Sequence, residues 1–142
     1  MYKLLKIGNK EYKLEYSIEA SLYDECVKSV MNTLLATSGG VDKTPEEMIS
    51  GMANIPNTAL TVFYAGLLQY HGDSPDADGS VPNLATAKRL AVQFIQEHKD
   101  DEQGNFYGIF AMCLDQMEED GFFKLTGLET FMDDLQKKAT AK

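Results

Sequence analysis

Polar and apolar residues alternate with a period of two at the start of the chain. In YKLLKI, Tyr2, Leu4 and Lys6 point one way and Lys3, Leu5 and Ile7 the other; in EYKLEY, Tyr12, Leu14 and Tyr16 alternate with Lys13 and Glu15. Gly8-Asn9-Lys10 lies between these runs, and glycine and asparagine supply the positive φ angles of a tight turn. Residues 1–17 are therefore expected to form a β-hairpin.

The period then changes to that of a helix. Ile18, Leu22, Cys26, Val30 and Leu34 recur every four residues, flanked by Tyr23, Val27 and Met31, with Ser17 as the expected N-cap and Gly39-Gly40 as the stop. Thr44-Pro45-Glu46-Glu47 predicts the start of a short helix ending near Gly51 or Ala53. Asn54 to Asn57 interrupts the pattern, and a more apolar helix over about 57–70, carrying Leu60, Phe63, Tyr64, Leu67 and Leu68, is expected at the centre of the core. Two further stripes follow: Leu84, Ala87, Leu90, Ala91, Phe94 and Ile95, then Phe106, Ile109, Phe110, Cys113, Leu114 and Met117. A last amphipathic segment over about 125–137 carries Leu128, Phe131, Met132 and Leu135.

The expected fold is α+β and predominantly helical, an N-terminal β-hairpin followed by a compact bundle of five or six α-helices. With 142 residues and 44% hydrophobic composition, the chain suits one domain: hairpin over 1–17, helical bundle over 18–137 and a disordered tail over 138–142. No run approaches the roughly 20 apolar residues of a membrane span, and the alternating start does not look like a signal peptide. A soluble intracellular protein is expected.

Charge narrows the set of partners. The formal net charge is -9, yet residues 1–17 carry four lysines against two glutamates, while residues 73–134 carry 14 acidic side chains against four basic ones. Such an acidic field repels phosphate backbones, so nucleic acid is not an expected partner except through the lysine-bearing N-terminal segment, and without a long apolar run neither is a membrane. Cys26 and Cys113 lie far apart in apolar stripes without CxxC spacing, and read as buried free thiols.

The stretch DSPDADGSVPNL, residues 73–84, raises the question of a calcium loop. With Gly79 at the sixth loop position, Ser74, Asp76 and Asp78 fall at the first, third and fifth; the twelfth, which needs a bidentate glutamate, is Ala85. Two of the strongest ligands are missing, so the stretch reads as a helix connection, with Ser80 or Asn83 capping the next helix. His71 and His98 follow apolar stripes, where a histidine suits a helix C-terminus, and neither stands in a metal-ligand spacing. No phosphate loop, dinucleotide fingerprint or nucleophile elbow is present, so no enzyme activity, catalytic residue, cofactor or metal ligand is assigned. A metal-dependent enzyme built on His71, His98 and nearby carboxylates is the weakest of the readings.

Two features suit protein binding. Phe122 and Phe123 are adjacent at a break between helices, where both cannot easily face the core, and seven methionines offer an adaptable apolar surface as well as core filling. The candidate partner-binding residues are Phe122, Phe123, Phe131 and Met132.

YKLLKIGNKEYKLEYSI, LLQYHG, AKRLAVQFIQEHKDD and EEDGFFK together resemble the tail assembly chaperones of long-tailed bacteriophages of Gram-positive hosts, over roughly residues 2 to 125. The resemblance implies a protein made in the cytoplasm of the infected bacterium that binds the helix-rich tape measure protein. It would keep that protein soluble while tail tube subunits polymerise around it, and be absent from the mature virion. The tail tube protein is then a second expected partner, and a homo-oligomer is compatible with the pattern. The family also often makes a longer frameshifted product, and Lys137-Lys138 is compatible with an adenine-rich slippery codon run. The alternative is a small phage or bacterial adaptor that binds a host protein, its hairpin edge receiving a partner strand.

Overall fold

The computed structural model describes residues 1–37, 45–46 and 53–140. Strands β1 (Lys3–Ile7) and β2 (Lys10–Leu14) form an antiparallel hairpin, followed by α1 (Ile18–Leu22), α2 (Asp24–Thr37), α3 (Ile55–His71), α4 (Leu84–Glu97), α5 (Phe106–Glu119), α6 (Phe122–Leu125) and α7 (Leu128–Thr140). The protein is thus α+β and mostly helical. The helix expected from Thr44 to about Ala53, and the Gly39-Gly40 stop, fall almost wholly outside the described residues.

The hairpin follows its alternation. Ile7 pairs with Lys10 across a two-residue turn, Leu5 with Tyr12 and Lys3 with Leu14. Leu5, Ile7, Tyr12 and Leu14 are buried on the inner face, while Leu4 is half-exposed on the outer one. Gly8 alone takes the left-handed φ, at 64°, and its N–H is held by both oxygens of Glu97 at 3.0 Å, which fixes the turn to the end of α4.

Helix α3 is the centre of the core, as its composition predicts, and α1, α2, α4, α5 and β2 all pack on it. It starts two residues earlier than the pattern suggests, because Pro56 sits in the first turn, where a missing N–H has no intrahelical partner to lose. Ala59, Val62, Phe63, Ala65 and Leu67 are fully buried, and the wetter side of the helix is the narrow row Asn57, Thr61, Tyr64 and Leu68. Gly66 is where the hairpin crosses it. Its carbonyl accepts the Glu15 N–H at 2.9 Å, and a Cβ there would stand 2.7 Å from Tyr16 Cζ and nearer still to Leu14 Cδ1.

Tyr16 anchors the crossing. It is fully buried, its hydroxyl donates to the Val62 carbonyl at 2.6 Å, and its ring meets Phe122 edge-on at 5.7 Å. Cys26 and Cys113 are free buried thiols, and burial pushes both up to about 12.

Three departures from the sequence expectation matter. First, the long helix after Ser17 breaks at Tyr23, whose backbone is extended (φ -88°, ψ 97°) and whose ring packs edge-on against Tyr64 at 5.5 Å. Cys26 and Val30 stay buried, but Ile18 and Leu22 of the same four-residue stripe are left 55% and 71% exposed. Ser17 does not cap α1; its hydroxyl goes to Gln69 Oε1 at 2.7 Å instead. Second, α5 is capped by Asn105, which accepts the Gly108 N–H at 2.7 Å and was not expected as a cap, whereas Asn83, one of the two expected caps, does hold α4 by accepting the Thr86 N–H at 2.9 Å. Third, α7 does not join the bundle core. It packs chiefly on α6 and runs to Thr140, three residues past the expected end at 137.

Candidate functional site

The loop 73–83 closes against the end of α3. Asp78 N–H donates to the Tyr70 carbonyl at 2.9 Å and Val81 N–H to the His71 carbonyl at 2.8 Å, so the loop satisfies carbonyls that the helix end leaves open. Val81 is fully buried, which pins the loop by an apolar side chain as well.

His71 joins three elements. Its Nε2 accepts the Lys13 backbone N–H at 2.9 Å, which requires the proton on Nδ1; from there it donates to Asp78 Oδ2 at 3.0 Å, with Ser80 Oγ at 3.1 Å. The ring is buried and lies edge-on to Tyr12 at 5.2 Å. Both nitrogens are thus occupied by structural partners. Partial burial raises the Asp78 carboxyl, but hydrogen bonds from the Ser80 hydroxyl and N–H and from His71 outweigh it and hold the group at about 2. The carboxylate that the sequence offered as a calcium ligand is turned back onto the fold, with Lys10 at 3.9 Å. His98 stacks on Phe94 at 4.3 Å and bonds Asp101 at 2.9 Å, near a solvated helix end. Among the described residues, no group of three or more His, Cys, Asp or Glu side chains is placed to hold a metal ion.

Asp120 plays a comparable part at the far end of the hairpin. Its carboxylate accepts the Tyr16 N–H at 2.9 Å, Gln116 Nε2 at 3.0 Å and the Met1 α-amino group at 2.9 Å. The hydrogen bond to Asp120, more than any other influence, raises that amino group above its ordinary value. Between α5 and Lys3 lies a cleft of about 560 Å3, with Glu102, Asp115, Glu119 and Tyr107 on its walls.

The candidate partner-binding residues separate into two groups. Phe122 is fully buried against Tyr16 and so is not part of an accessible surface; Phe123 is half-buried behind it, with the two rings 6.0 Å apart. Phe131 and Met132 are 52% and 39% exposed on α7. Leu125 on α6 and Leu135 on α7 are likewise 47% and 46% exposed. A groove of about 490 Å3 is lined by Ser21 of α1, Asp24, Val27 and Lys28 of α2, and Leu125 and Thr126 at the end of α6.

What the sequence reading missed was this groove, together with the exposure of Ile18 and Leu22. No periodic signal marks the break at Tyr23 that uncovers them. Among the described residues, the surface offers apolar contact area at Ile18, Leu22, Leu125, Phe131, Met132 and Leu135.

No protein-family model, no curated protein and no solved structure matches the chain. Among the described residues, no helix is long and apolar enough to cross a membrane.

Proposed function

We propose that the protein is a tail assembly chaperone of a long-tailed bacteriophage or prophage of a Gram-positive bacterium. In this reading it binds the tape measure protein in the host cytoplasm, keeps it soluble while tail tube subunits assemble around it, and does not enter the virion. The observation that carries the reading is α7, a 13-residue helix whose apolar stripe has no covering partner within the described chain. A helix-rich client supplies apolar stripes of the same period, and burying the exposed halves of Phe131, Met132 and Leu135 would stabilise a complex by roughly 25 cal/mol per Å2. Such capture is reversible because only a few side chains take part.

Co-expression with the tape measure protein encoded in the same genome tests this. A soluble complex is expected, and its loss when Phe131 and Leu135 are both replaced by serine. A tape measure protein that remains insoluble, with no complex recovered, overturns the reading.

One observation favours the adaptor alternative. The two-residue turn makes Ile7–Lys10 and Leu5–Tyr12 the hydrogen-bonded pairs, so the backbone groups of Leu4 and Lys6 point away from β2. On the other edge the outward Lys13 N–H of β2 is taken by His71, and just past the strand the Glu15 N–H is taken by the Gly66 carbonyl, which makes β1 the edge that suits an added strand. Leu4→Pro would abolish strand addition and leave capture by α7 intact.

A further inference from the structure

We propose that His71 is a proton-operated latch that holds the second strand of the hairpin to the end of α3, an inference that rests on the fold alone and not on the function proposed above. The ring spans three elements. It belongs to the last turn of α3, its Nε2 accepts the Lys13 N–H of β2 at 2.9 Å, and its Nδ1 donates to Asp78 Oδ2 in the following loop at 3.0 Å. It is buried, and Tyr12 closes on it edge-on at 5.2 Å. In this arrangement the only in-plane lone pair of the ring is the one that accepts from Lys13, because the other nitrogen already carries the proton given to Asp78. A second proton can therefore enter only at Nε2, where it would set two N–H donors against each other across 2.9 Å. The imidazolium has to leave the strand, and the Lys13 N–H is freed.

The groups around the ring do little to hold an imidazolium in place. Asp78 attracts it from the loop, but that carboxylate is half-exposed and its Oδ2 already lies 3.9 Å from Lys10 of β2, so water and a competing cation weaken the attraction. On β2, Tyr12 presents a ring edge, and the Lys13 ammonium lies over the Tyr2 and Tyr70 rings at 4.8 and 5.1 Å. Glu11 on the same strand, and Asp73 and Asp76 beyond the helix end, are exposed. The hairpin is also tied by Gly8 N–H to Glu97 and by Glu15 N–H to the Gly66 carbonyl, and neither tie contains a histidine. The latch thus acts at one point of the β2 edge, and opening it releases the N–H whose capture keeps a further strand from pairing there.

A histidine released to water takes a proton below about pH 6.5, so the opened state binds one proton more than the closed one and opening is favoured as pH falls. Asp78, held at about 2, stays ionised throughout that window and contributes nothing to the slope. Native-state amide hydrogen exchange on the full chain, read by NMR and corrected for intrinsic rates, reports the opening at Lys13. Protection of the Lys13 amide should be level above about pH 7 and then fall, approaching about tenfold per unit between about pH 6 and 5, while that of the Glu15 amide changes by less than about twofold. In His71→Gln the side-chain oxygen can accept from Lys13 and gains no proton, so Lys13 protection should stay level over the same range. If that variant does not fold, the nitrogen-15 shifts of the wild-type ring carry the test: they should report the Nδ1–H form above about pH 7 and a ring titration that tracks the loss of Lys13 protection. Lys13 protection that is indifferent to pH, that falls in step with Glu15, or that falls as steeply in His71→Gln would overturn the proposal. So would an Nε2–H ring in the closed protein.

Discussion

Phe122 and Phe131 are nine residues apart, chemically identical and equally apolar to any sequence scale, yet their substitution should have very different consequences. Phe122 is fully buried, with Tyr16 and Phe123 rings at 5.7 and 6.0 Å. Phe122→Ala removes its transfer free energy and leaves a cavity between α6, the hairpin end and α5, a combination that costs about 3–5 kcal/mol in packed cores. Phe131 is 52% exposed on a helix that touches little besides α6, so only about half of the ring has any burial to lose. That loss is about 1 kcal/mol, and the higher helix propensity of alanine offsets roughly half of it. For a domain of this size about 3 °C in Tm corresponds to 1 kcal/mol. Phe122→Ala should therefore lower Tm by about 10–15 °C and Phe131→Ala by no more than about 3 °C. Urea unfolding followed by circular dichroism at 222 nm gives the free energies directly, and thermal melts give the shifts. If Phe131→Ala is as destabilising as Phe122→Ala, the α7 stripe is covered in the free protein and cannot be a vacant capture surface. A mild Phe122→Ala would refute its place in the core.

Three further results are expected. Gly66→Ala should destabilise by about 1–2 kcal/mol in urea unfolding despite alanine's better helix propensity, because its Cβ would meet Tyr16 at 2.7 Å while that hydroxyl is held by Val62; an unchanged or raised midpoint would mean the hairpin does not cross there. Asp78→Ala should cost about 1 kcal/mol at pH 7, discounted because the carboxylate is half-exposed. The folded group sits at about 2, below its unfolded value, so its contribution is complete above about pH 4 and disappears as pH falls towards 2; the gap between wild type and variant should close over that window, and a constant gap would contradict the linkage. Cys26 and Cys113, both at about 12, should resist a thiol-alkylating reagent at neutral pH in the folded protein and react once urea unfolds it; rapid labelling of the native chain would show that the thiols are accessible.

Where the sequence was informative, burial on one side of an element did the work. The alternation of the hairpin read correctly because Leu5, Ile7, Tyr12 and Leu14 all enter the same core, so a one-residue slip would have exposed every one of them. The central place of α3 was legible for the opposite reason, since a helix with almost no charge gives only a narrow row of residues to water. Caps were legible only in part: Asn83 was one of two candidates, and Asn105 lay hidden in the polar run EHKDDEQGN, where any of several residues could have capped. The hydrogen-bond roles of His71 and Asp120 were not legible at all. Each contacts backbone more than 50 residues away, and no local pattern carries that separation.

The surface shows most clearly why periodicity is an incomplete guide. Ile18 and Leu22 continue the stripe of Cys26 and Val30 and were expected inside, while Phe131 and Leu135 have the spacing of any core helix although Phe131 was also a candidate for partner binding. What removes them is a change of direction: the extended backbone at Tyr23 turns α1 away from the stripe of α2, and Gly127, with φ 81°, separates α7 from the buried Phe122. A periodic pattern states that a face is apolar and leaves unstated what covers it. In α1 through α5 the chain covers most of such faces itself, because α3 offers apolar surface to several neighbours at once. Helix α7 packs chiefly on α6, and its stripe at the same period stays partly exposed. The amphipathic pattern that folds the first part of the protein is therefore the same one that, in its last helix, leaves apolar side chains in contact with water.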